Sequence, residues 1–384
     1  MMPVKNRWRP LLLLPGGLAL LAGLDAALLL LGLPAPVTTE ALPQVHGMIL
    51  TLGFVGTVIA LERAVALRHP AGYLSPIAFG LGGIGLLTPF PHAGRALLVV
   101  GGLALLGVYA ALWRRQESVA LALQVLGAAG AVGGALLWWG GAPVATSLPW
   151  LVTFLILTIS GERLELARVT LGAVAVERAV MALGAAVLAG AAAATLWPVP
   201  GTVGLGLALL ALTGTLLRHD VARRTVRSTG LTRYMAGCLL AAYGWAIVGG
   251  GIWALIGPVT EGPGYDAVIH AFFLGYTMSM IMAHAPVILP AVIGRPLPYA
   301  PVLYVPVALL HLSLAIRVVG GDRLGSVRAL EVGGALNVAA VLLFLVAAVV
   351  LSVRGERRRA TAPALPVPAV VPAPAPVPVE ETAP

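Results

Sequence analysis

The chain has 384 residues, of which 59% are hydrophobic and only 10% are charged, and its mean hydropathy is +0.97. A water-soluble domain needs a polar outer layer, so this composition excludes one and indicates a polytopic membrane protein whose partner is the lipid bilayer. The formal net charge of +9 is scattered over short loops, which argues against nucleic-acid binding and for a signal of membrane topology.

Apolar runs near the length of a membrane-spanning helix, about 20 residues, recur along the chain. Proline, glycine or charged residues separate them. The first run is too long for a signal-peptide core, so we expect it to be retained as a helix. The sequence therefore predicts an all-α domain over residues 1–354 with about twelve spanning helices, at 11–33, 44–67, 74–90, 95–113, 118–139, 149–169, 176–197, 201–217, 232–256, 266–291, 301–320 and 329–353.

The distribution of basic residues predicts the orientation of these helices. If both termini are cytoplasmic, only four of the 24 Lys and Arg residues lie on the outer side, namely Arg95, Arg317, Arg323 and Arg328. Such a bias follows the positive-inside rule and predicts an N-in/C-in protein. Residues 355–384 are rich in Pro, Ala and Val without helical or strand periodicity, which predicts a disordered cytoplasmic tail.

Two single residues within apolar runs bear on the chemistry. Cys238 is the only cysteine, which excludes an intrachain disulfide and a cysteine-based cluster or zinc site. Asp25 is a carboxylate in the middle of the first run. An intramembrane acid is either part of a proton path or hydrogen-bonded and neutral.

Two histidines lie at similar depth, a few residues below the predicted outer surface. His46 begins HGMILTLGF on the second predicted helix, and His270 begins HAFFLGYTM on the tenth, which runs in the same direction. Small residues beside each histidine leave room for a flat macrocycle. Two facing neutral imidazoles at one depth are what bis-histidine haem ligation requires, so both are candidate axial ligands. The alternative is two interfacial histidines hydrogen-bonded to water or to a neighbouring helix.

Two further histidines lie deeper. His284 follows His270 by fourteen residues. In a regular α-helix this returns to nearly the same face about 21 Å further along the axis, too far to share one metal ion. His311, on the eleventh predicted helix, falls near the depth of His284. These two could share a second haem or a metal such as copper, line a polar pocket, or form a plain hydrogen-bonded pair.

Glu-Arg pairs occur three times in the inner half of the predicted helices. Because adjacent helical residues do not face each other, we expect each glutamate to pair with an arginine on another helix. One interpretation is a ring of salt bridges that fixes helix packing. The other is that the arginines hold haem propionates or another anion while the carboxylates carry protons. The residues are Glu62, Arg63, Glu162, Arg163, Glu165, Glu177 and Arg178.

Helices two, six and ten share short fragments, with LER at 61–63, GER at 161–163 and a His-small pair at 46–47 and 270–271. This indicates a threefold pseudo-repeat of four helices. Twelve helices with histidines on helices two and ten resemble subunit I of haem–copper oxidases, which implies haem ligation by His46 and His270. Residues 149–197 contain no histidine, and helix ten lacks a His-x-His, so the resemblance does not extend to a complete binuclear catalytic centre.

The segments HGMILTLGF (46–54) and HAFFLGYTMSMIMAHAP (270–286) are also similar to the NnrS-like family of twelve-helix haem proteins, linked to nitric oxide and denitrification in bacteria. The resemblance implies haem b, the bacterial inner membrane, and nitric-oxide stress protection or redox relay with nitric oxide or a redox partner, without implying an enzyme. Two other functions stay open. They are a proton-coupled secondary transporter using Asp25, His284 and His311, and a cofactor-free structural subunit of a membrane complex.

Overall fold

A computed structural model describes residues 9–166 and 173–361. Within these ranges the regular structure is helical throughout and contains no strand. Eleven helices in the described ranges are long and apolar enough to cross a membrane. The predicted class, a polytopic all-α membrane protein, is confirmed.

The helices follow one another in chain order, mostly through short connections. We number them α1 (Arg9–Leu30), α2 (Ala41–Leu67), α3 (Leu74–Gly85), α4 (Pro91–Trp113), α5 (Val119–Trp139), α6 (Val144–Leu166), α7 (Val174–Leu196), α8 (Pro198–His219), α9 (Gly230–Ile256), α10 (Gly262–Val292), α11 (Pro301–Arg323) and α12 (Val327–Thr361). Three of them contain an eight-residue π-helical segment: Ile49–Gly56 in α2, Ala271–Met278 in α10 and Ile316–Arg323 in α11.

Helix α3 is shorter than the run predicted at 74–90. It has 12 residues, or about 18 Å, against a hydrocarbon core of about 30 Å. Its last residue, Gly85, packs against Gly94 at the start of α4, where an added Cβ would lie 2.9 Å from the Gly94 Cα. The chain therefore turns back sooner than apolarity alone indicates. The number of crossings, the N-in/C-in orientation and the threefold pseudo-repeat stay predictions.

The last helix runs further than predicted. It is continuous over Val327–Thr361, so residues 355–361 are helical rather than part of an extended tail. Glu and Arg have high helix propensity, and the sequence GERRRA is rich in both. Glu356 also lies 3.8 Å from Arg295, which follows α10. Residues 362–384 lie outside the described residues, so disorder there stays a prediction.

Helix α6 is the central helix of the bundle. All residues from Leu151 to Leu164 are buried, as expected for a helix surrounded by others. It contributes to both large apolar clusters, one formed mainly by α1–α5 and the other mainly by α7–α12. Polar residues on α6, such as Glu162 and Arg163, are therefore held inside the protein and need polar partners there.

Helices α5 and α6 pack with their backbones nearly in contact. A Cβ added at Gly130 would lie 2.7 Å from the backbone nitrogen of Phe154 and 2.9 Å from the carbonyl oxygen of Trp150. At Gly127 it would lie 2.9 Å from the backbone nitrogen of Thr158. Small residues permit this approach, which is common between membrane helices. The glycines of α5 thus position the central helix.

Candidate functional site

A cavity of about 320 Å³ lies beside the first half of α2 and the first half of α10, with walls that include α1, α6 and α12. Its volume is within the range of about 300–1,000 Å³ usual for small-molecule and cofactor sites. The lining is mostly apolar, with a few polar side chains. The polar and aromatic-hydroxyl residues are Gln44, His46, Thr51, Tyr265, His270, Thr277, Arg317 and Asn337.

The cavity brings together His46 and His270, the pair chosen from the sequence. Each imidazole makes one short contact through Nδ1. That of His46 lies 2.8 Å from the carbonyl oxygen of Gly23 on α1, and that of His270 lies 2.8 Å from the carbonyl oxygen of Asp266, one turn earlier in α10. Both rings are therefore oriented by the backbone.

These contacts define the tautomer of each ring. A carbonyl oxygen can only accept a hydrogen bond, so Nδ1 must carry the hydrogen. In the neutral imidazole this leaves the lone pair on Nε2. Within the part of the chain that the structure describes, Nε2 of His46 and of His270 makes no hydrogen bond. Two oriented imidazoles with free Nε2 atoms are the arrangement that metal-binding histidines usually adopt.

An ion pair between the buried Arg317 and the half-buried Asp266 lies next to His270. Arg317 donates from Nε to Oδ2 of Asp266 at 2.8 Å and from Nη2 to Oδ1 at 2.7 Å. Oδ1 of Asp266 lies 3.3 Å from Nδ1 of His270. Arg317 is itself only 8% exposed and lines the cavity. Neither charged residue was predicted as part of the site, although the i, i+4 spacing of Asp266 and His270 in DAVIH indicates that the two side chains can meet.

All three π-helical segments adjoin this cavity. One begins three residues after His46, one begins directly after His270, and one contains Arg317. π-helical segments are rare and are frequent at functional sites, because they shift side chains relative to a regular helix. In α2 and α10 each segment is followed by a hydroxyl that bonds to a glycine carbonyl, Thr57 to Gly53 and Ser279 to Gly275, both at 2.6 Å. The two helices therefore share this local feature beside their histidines.

His284 and His311 lie outside the cavity lining. Nδ1 of His284 contacts the carbonyl oxygen of Met280 at 2.8 Å, and its Nε2 lies 3.5 Å from Nη1 of Arg163. His311 accepts from Nε1 of Trp245 at 3.0 Å, and its Nε2 lies 3.3 Å from Ser279. Each therefore has its own partners, and the described residues contain no cluster of three or more metal-ligating side chains. A second haem or metal between them stays a prediction.

The prediction that His270 and His284 lie on nearly the same helix face assumes a regular α-helix between them. That assumption is wrong, because the π-helical segment Ala271–Met278 separates them. Its i→i+5 hydrogen bonds widen the turn and change the rotation per residue. His270 therefore lines the cavity, whereas His284 lies beside the buried Arg163.

The acid–base residues between α2 and α6 form one cluster. Arg63 contacts Glu162 at 4.0 Å and Glu165 at 3.6 Å, both on α6, and donates to Gln124 on α5 at 3.3 Å. The predicted pairing between helices is thus present for Glu162 and Glu165, and it is absent for Glu62 and Glu177 within the described residues. Arg63 also bonds to Glu62, its sequence neighbour, so the exclusion of adjacent pairs is wrong here, since both side chains are long enough to meet.

The second arginine has a partner that the sequence did not indicate. Arg163 forms a bidentate pair with Asp220, with Nη2 2.9 Å from Oδ1 and Nε 3.1 Å from Oδ2. Tyr243 donates to the same carboxylate at 2.8 Å, and so does the backbone nitrogen of Ala222 at 2.9 Å. Asp220 therefore links α6, the α8–α9 connection and α9.

The remaining predicted residues stand apart from these groups. Glu177 is half-buried and Arg178 exposed, and neither forms an ion pair within residues 9–166 and 173–361. Asp25 is buried, and its Oδ1 accepts from the backbone nitrogen of Val37 at 3.2 Å. Its Oδ2 has no hydrogen-bond partner among the described residues. Asp25 thus supports the connection after α1.

The fold and the site define a polytopic all-α membrane protein with a histidine-lined cavity between its helices. The chain belongs to a family described as "Domain of unknown function (DUF8744)", whose sequence profile matches residues 9–353 and so covers nearly the whole helical region. Comparison with curated proteins gave no match, and comparison with solved structures gave none.

Proposed function

We propose that the protein is a membrane b-type haem protein with His46 and His270 as the two axial ligands of one haem. The observation that carries the proposal is the pairing of these imidazoles on one cavity, each with Nδ1 engaged by a backbone carbonyl and Nε2 left to coordinate. Neutral imidazole nitrogen is an ordinary ligand of haem iron.

The other residues of the cavity are also suited to a haem. Apolar side chains such as Leu24, Phe54 and Phe273 form walls of the kind that cover a porphyrin face and keep water away. Arg317 lies in the wall with Nε and Nη2 bound to Asp266, so this part of the cavity presents an ion pair rather than an unpaired cation. When bound, a haem would supply one-electron redox chemistry. The chain's own contribution is two oriented imidazoles, a low-dielectric cavity and a fixed ion pair behind His270.

We propose a role in redox relay or in protection against nitric oxide, in the inner membrane of a bacterium. If His46 and His270 both held a haem, its iron would have no open position, which would favour electron transfer over gas binding. In this arrangement α3 completes a twelve-crossing N-in/C-in topology. Its α-helical part and the preceding 3₁₀ turn Pro70–Tyr73 together extend about 26 Å, enough for a thinned bilayer.

The test is the absorption spectrum of detergent-purified protein from haem-replete cells, oxidised and reduced. We expect a Soret band and sharp reduced α and β bands in the wild type, and loss of bound haem in both His46→Ala and His270→Ala. The control is His92→Ala, because His92 is an exposed residue at the start of α4. Folded wild-type protein without colour would contradict the proposal, and proton-gradient-dependent solute flux by it would favour a transporter.

Carbon monoxide separates the two proposed roles. Because His46 and His270 occupy both axial positions in this proposal, we expect carbon monoxide to leave the spectrum of the reduced wild type unchanged. The measurement is a difference spectrum of dithionite-reduced protein with and without the gas. A stoichiometric shift of the Soret band would show that one histidine is displaced readily, and would favour nitric-oxide handling over electron relay.

A further inference from the structure

We infer that Asp266 is a positioning residue that makes the two axial histidines chemically unequal, strengthening His270 as a ligand and lowering the redox potential of the bound haem. The inference rests on the proposed function and goes beyond it, because it says which ligand sets the potential and through which contact. It follows from the different surroundings of the two Nδ1 atoms.

The first observation is the difference in acceptors. His46 donates to one neutral carbonyl, that of Gly23 on another helix. His270 donates to the carbonyl of Asp266 at 2.8 Å and has the carboxylate oxygen Oδ1 of the same residue at 3.3 Å. The Nδ1 hydrogen bonds to the carbonyl, and the negative charge of the nearby carboxylate polarises the same N–H bond further, which raises the electron density at Nε2. His270 would thereby donate electron density to the iron more strongly than His46, which favours the oxidised, more positive iron.

The second observation is that the carboxylate is held in place. Arg317 binds both oxygens of Asp266 with two short hydrogen bonds, and its guanidinium is buried in the cavity wall. A bidentate Arg–carboxylate pair fixes the plane of the carboxylate as well as its position. Asp266 cannot rotate away from His270 without breaking this pair. His270 directly precedes one π-helical segment, and Arg317 lies within another.

The experiment is a redox titration of the purified haem protein at one pH, comparing wild type with Asp266→Asn. Asparagine keeps the shape and a neutral acceptor but removes the charge. We expect a six-coordinate spectrum and a higher midpoint potential. A tenfold loss in the preference for oxidised over reduced haem corresponds to a rise of about 59 mV for a one-electron couple. We also expect haem to be lost 10–100-fold more readily.

The matched control is Asp25→Asn, the same change at a buried aspartate of α1 whose recorded hydrogen bond goes to Val37 and to neither histidine. Its potential should equal that of the wild type. If Asp266→Asn folds poorly because Arg317 is left unpaired, the double variant Asp266→Asn/Arg317→Gln removes the stranded charge and should still show an upward shift, smaller than that of the single variant because no unpaired cation is left beside the haem. Asp266→Glu should restore part of the wild-type potential.

The outcomes separate this inference from the proposed function. A colourless wild type overturns the haem proposal itself. A haem-loaded Asp266→Asn, or the double variant, with the wild-type potential and wild-type haem retention overturns only the inference about Asp266. Equal shifts in Asp266→Asn and Asp25→Asn also contradict it, since they would reflect a general change in buried charge.

Discussion

Replacing Asp220 by alanine is expected to lower the free energy of unfolding by about 3–5 kcal/mol, the usual result of breaking a buried ion pair from one side. The side chain of Asp220 is 0% exposed and that of Arg163 is 5% exposed. Alanine would leave the guanidinium of Arg163 buried without its carboxylate, and would also remove the acceptor of Tyr243 and of the Ala222 backbone nitrogen. The measurement is unfolding of the purified protein in mixed micelles with increasing denaturing detergent.

Two controls make this prediction specific. Glu117→Ala, at an exposed residue before α5, should leave the unfolding midpoint unchanged. Asp220→Ala/Arg163→Met removes both charges and should be more stable than Asp220→Ala alone, because no unpaired cation is left. If Asp220→Ala unfolds at the wild-type midpoint, the link between α6, the α8–α9 connection and α9 does not contribute as described.

The second large effect is expected from Gly130→Leu. A leucine there would collide with the backbone of α6 at Phe154 and Trp150, which cannot move as the end of a flexible side chain can. Overpacking of a well-packed core costs about 1–3 kcal/mol and occasionally more, and a backbone collision belongs at the upper end. We expect a strongly reduced yield of folded protein and a lower unfolding midpoint in micelles.

The matched control for this variant is Gly107→Leu in α4. Gly107 is exposed, and a Cβ added there meets nothing within 4 Å, so leucine should be accepted on the outer surface of the bundle. Equal stability of Gly130→Leu and the wild type would mean that α5 and α6 do not pack through their backbones. An equal loss of stability in Gly107→Leu would mean that this surface contacts a partner rather than lipid.

The class of fold was predictable because long apolar runs have one physical outcome in a bilayer, the spanning helix. The exception shows where that rule loses accuracy. Helix α3 ends at Gly85, where it packs glycine to glycine against α4 and the chain turns, although the apolar residues that follow would allow a longer run. At the other end, residues 355–361 continue α12 because charged residues with high helix propensity follow directly.

The candidate pair His46 and His270 could be chosen from the sequence because imidazoles inside apolar runs are rare and their depth can be counted from the helix starts. The charged residues that contact this pair or lie elsewhere inside the bundle could not be predicted in this way. Arg317 and Asp220 are charged residues near helix ends, and only the packing of the helices turns them inward. The direction of His284 around the helix axis relative to His270 could not be predicted for another reason, because π-helical segments have no clear sequence pattern.

The most direct test of the account is the low-temperature electron paramagnetic resonance spectrum of the oxidised, purified protein. We expect a low-spin ferric signal typical of two imidazole ligands in the wild type. This signal should be retained in His92→Ala and lost in both His46→Ala and His270→Ala. A low-spin signal that persists when His46 and His270 are both replaced, or folded wild-type protein with no ferric haem signal, would contradict the central claim.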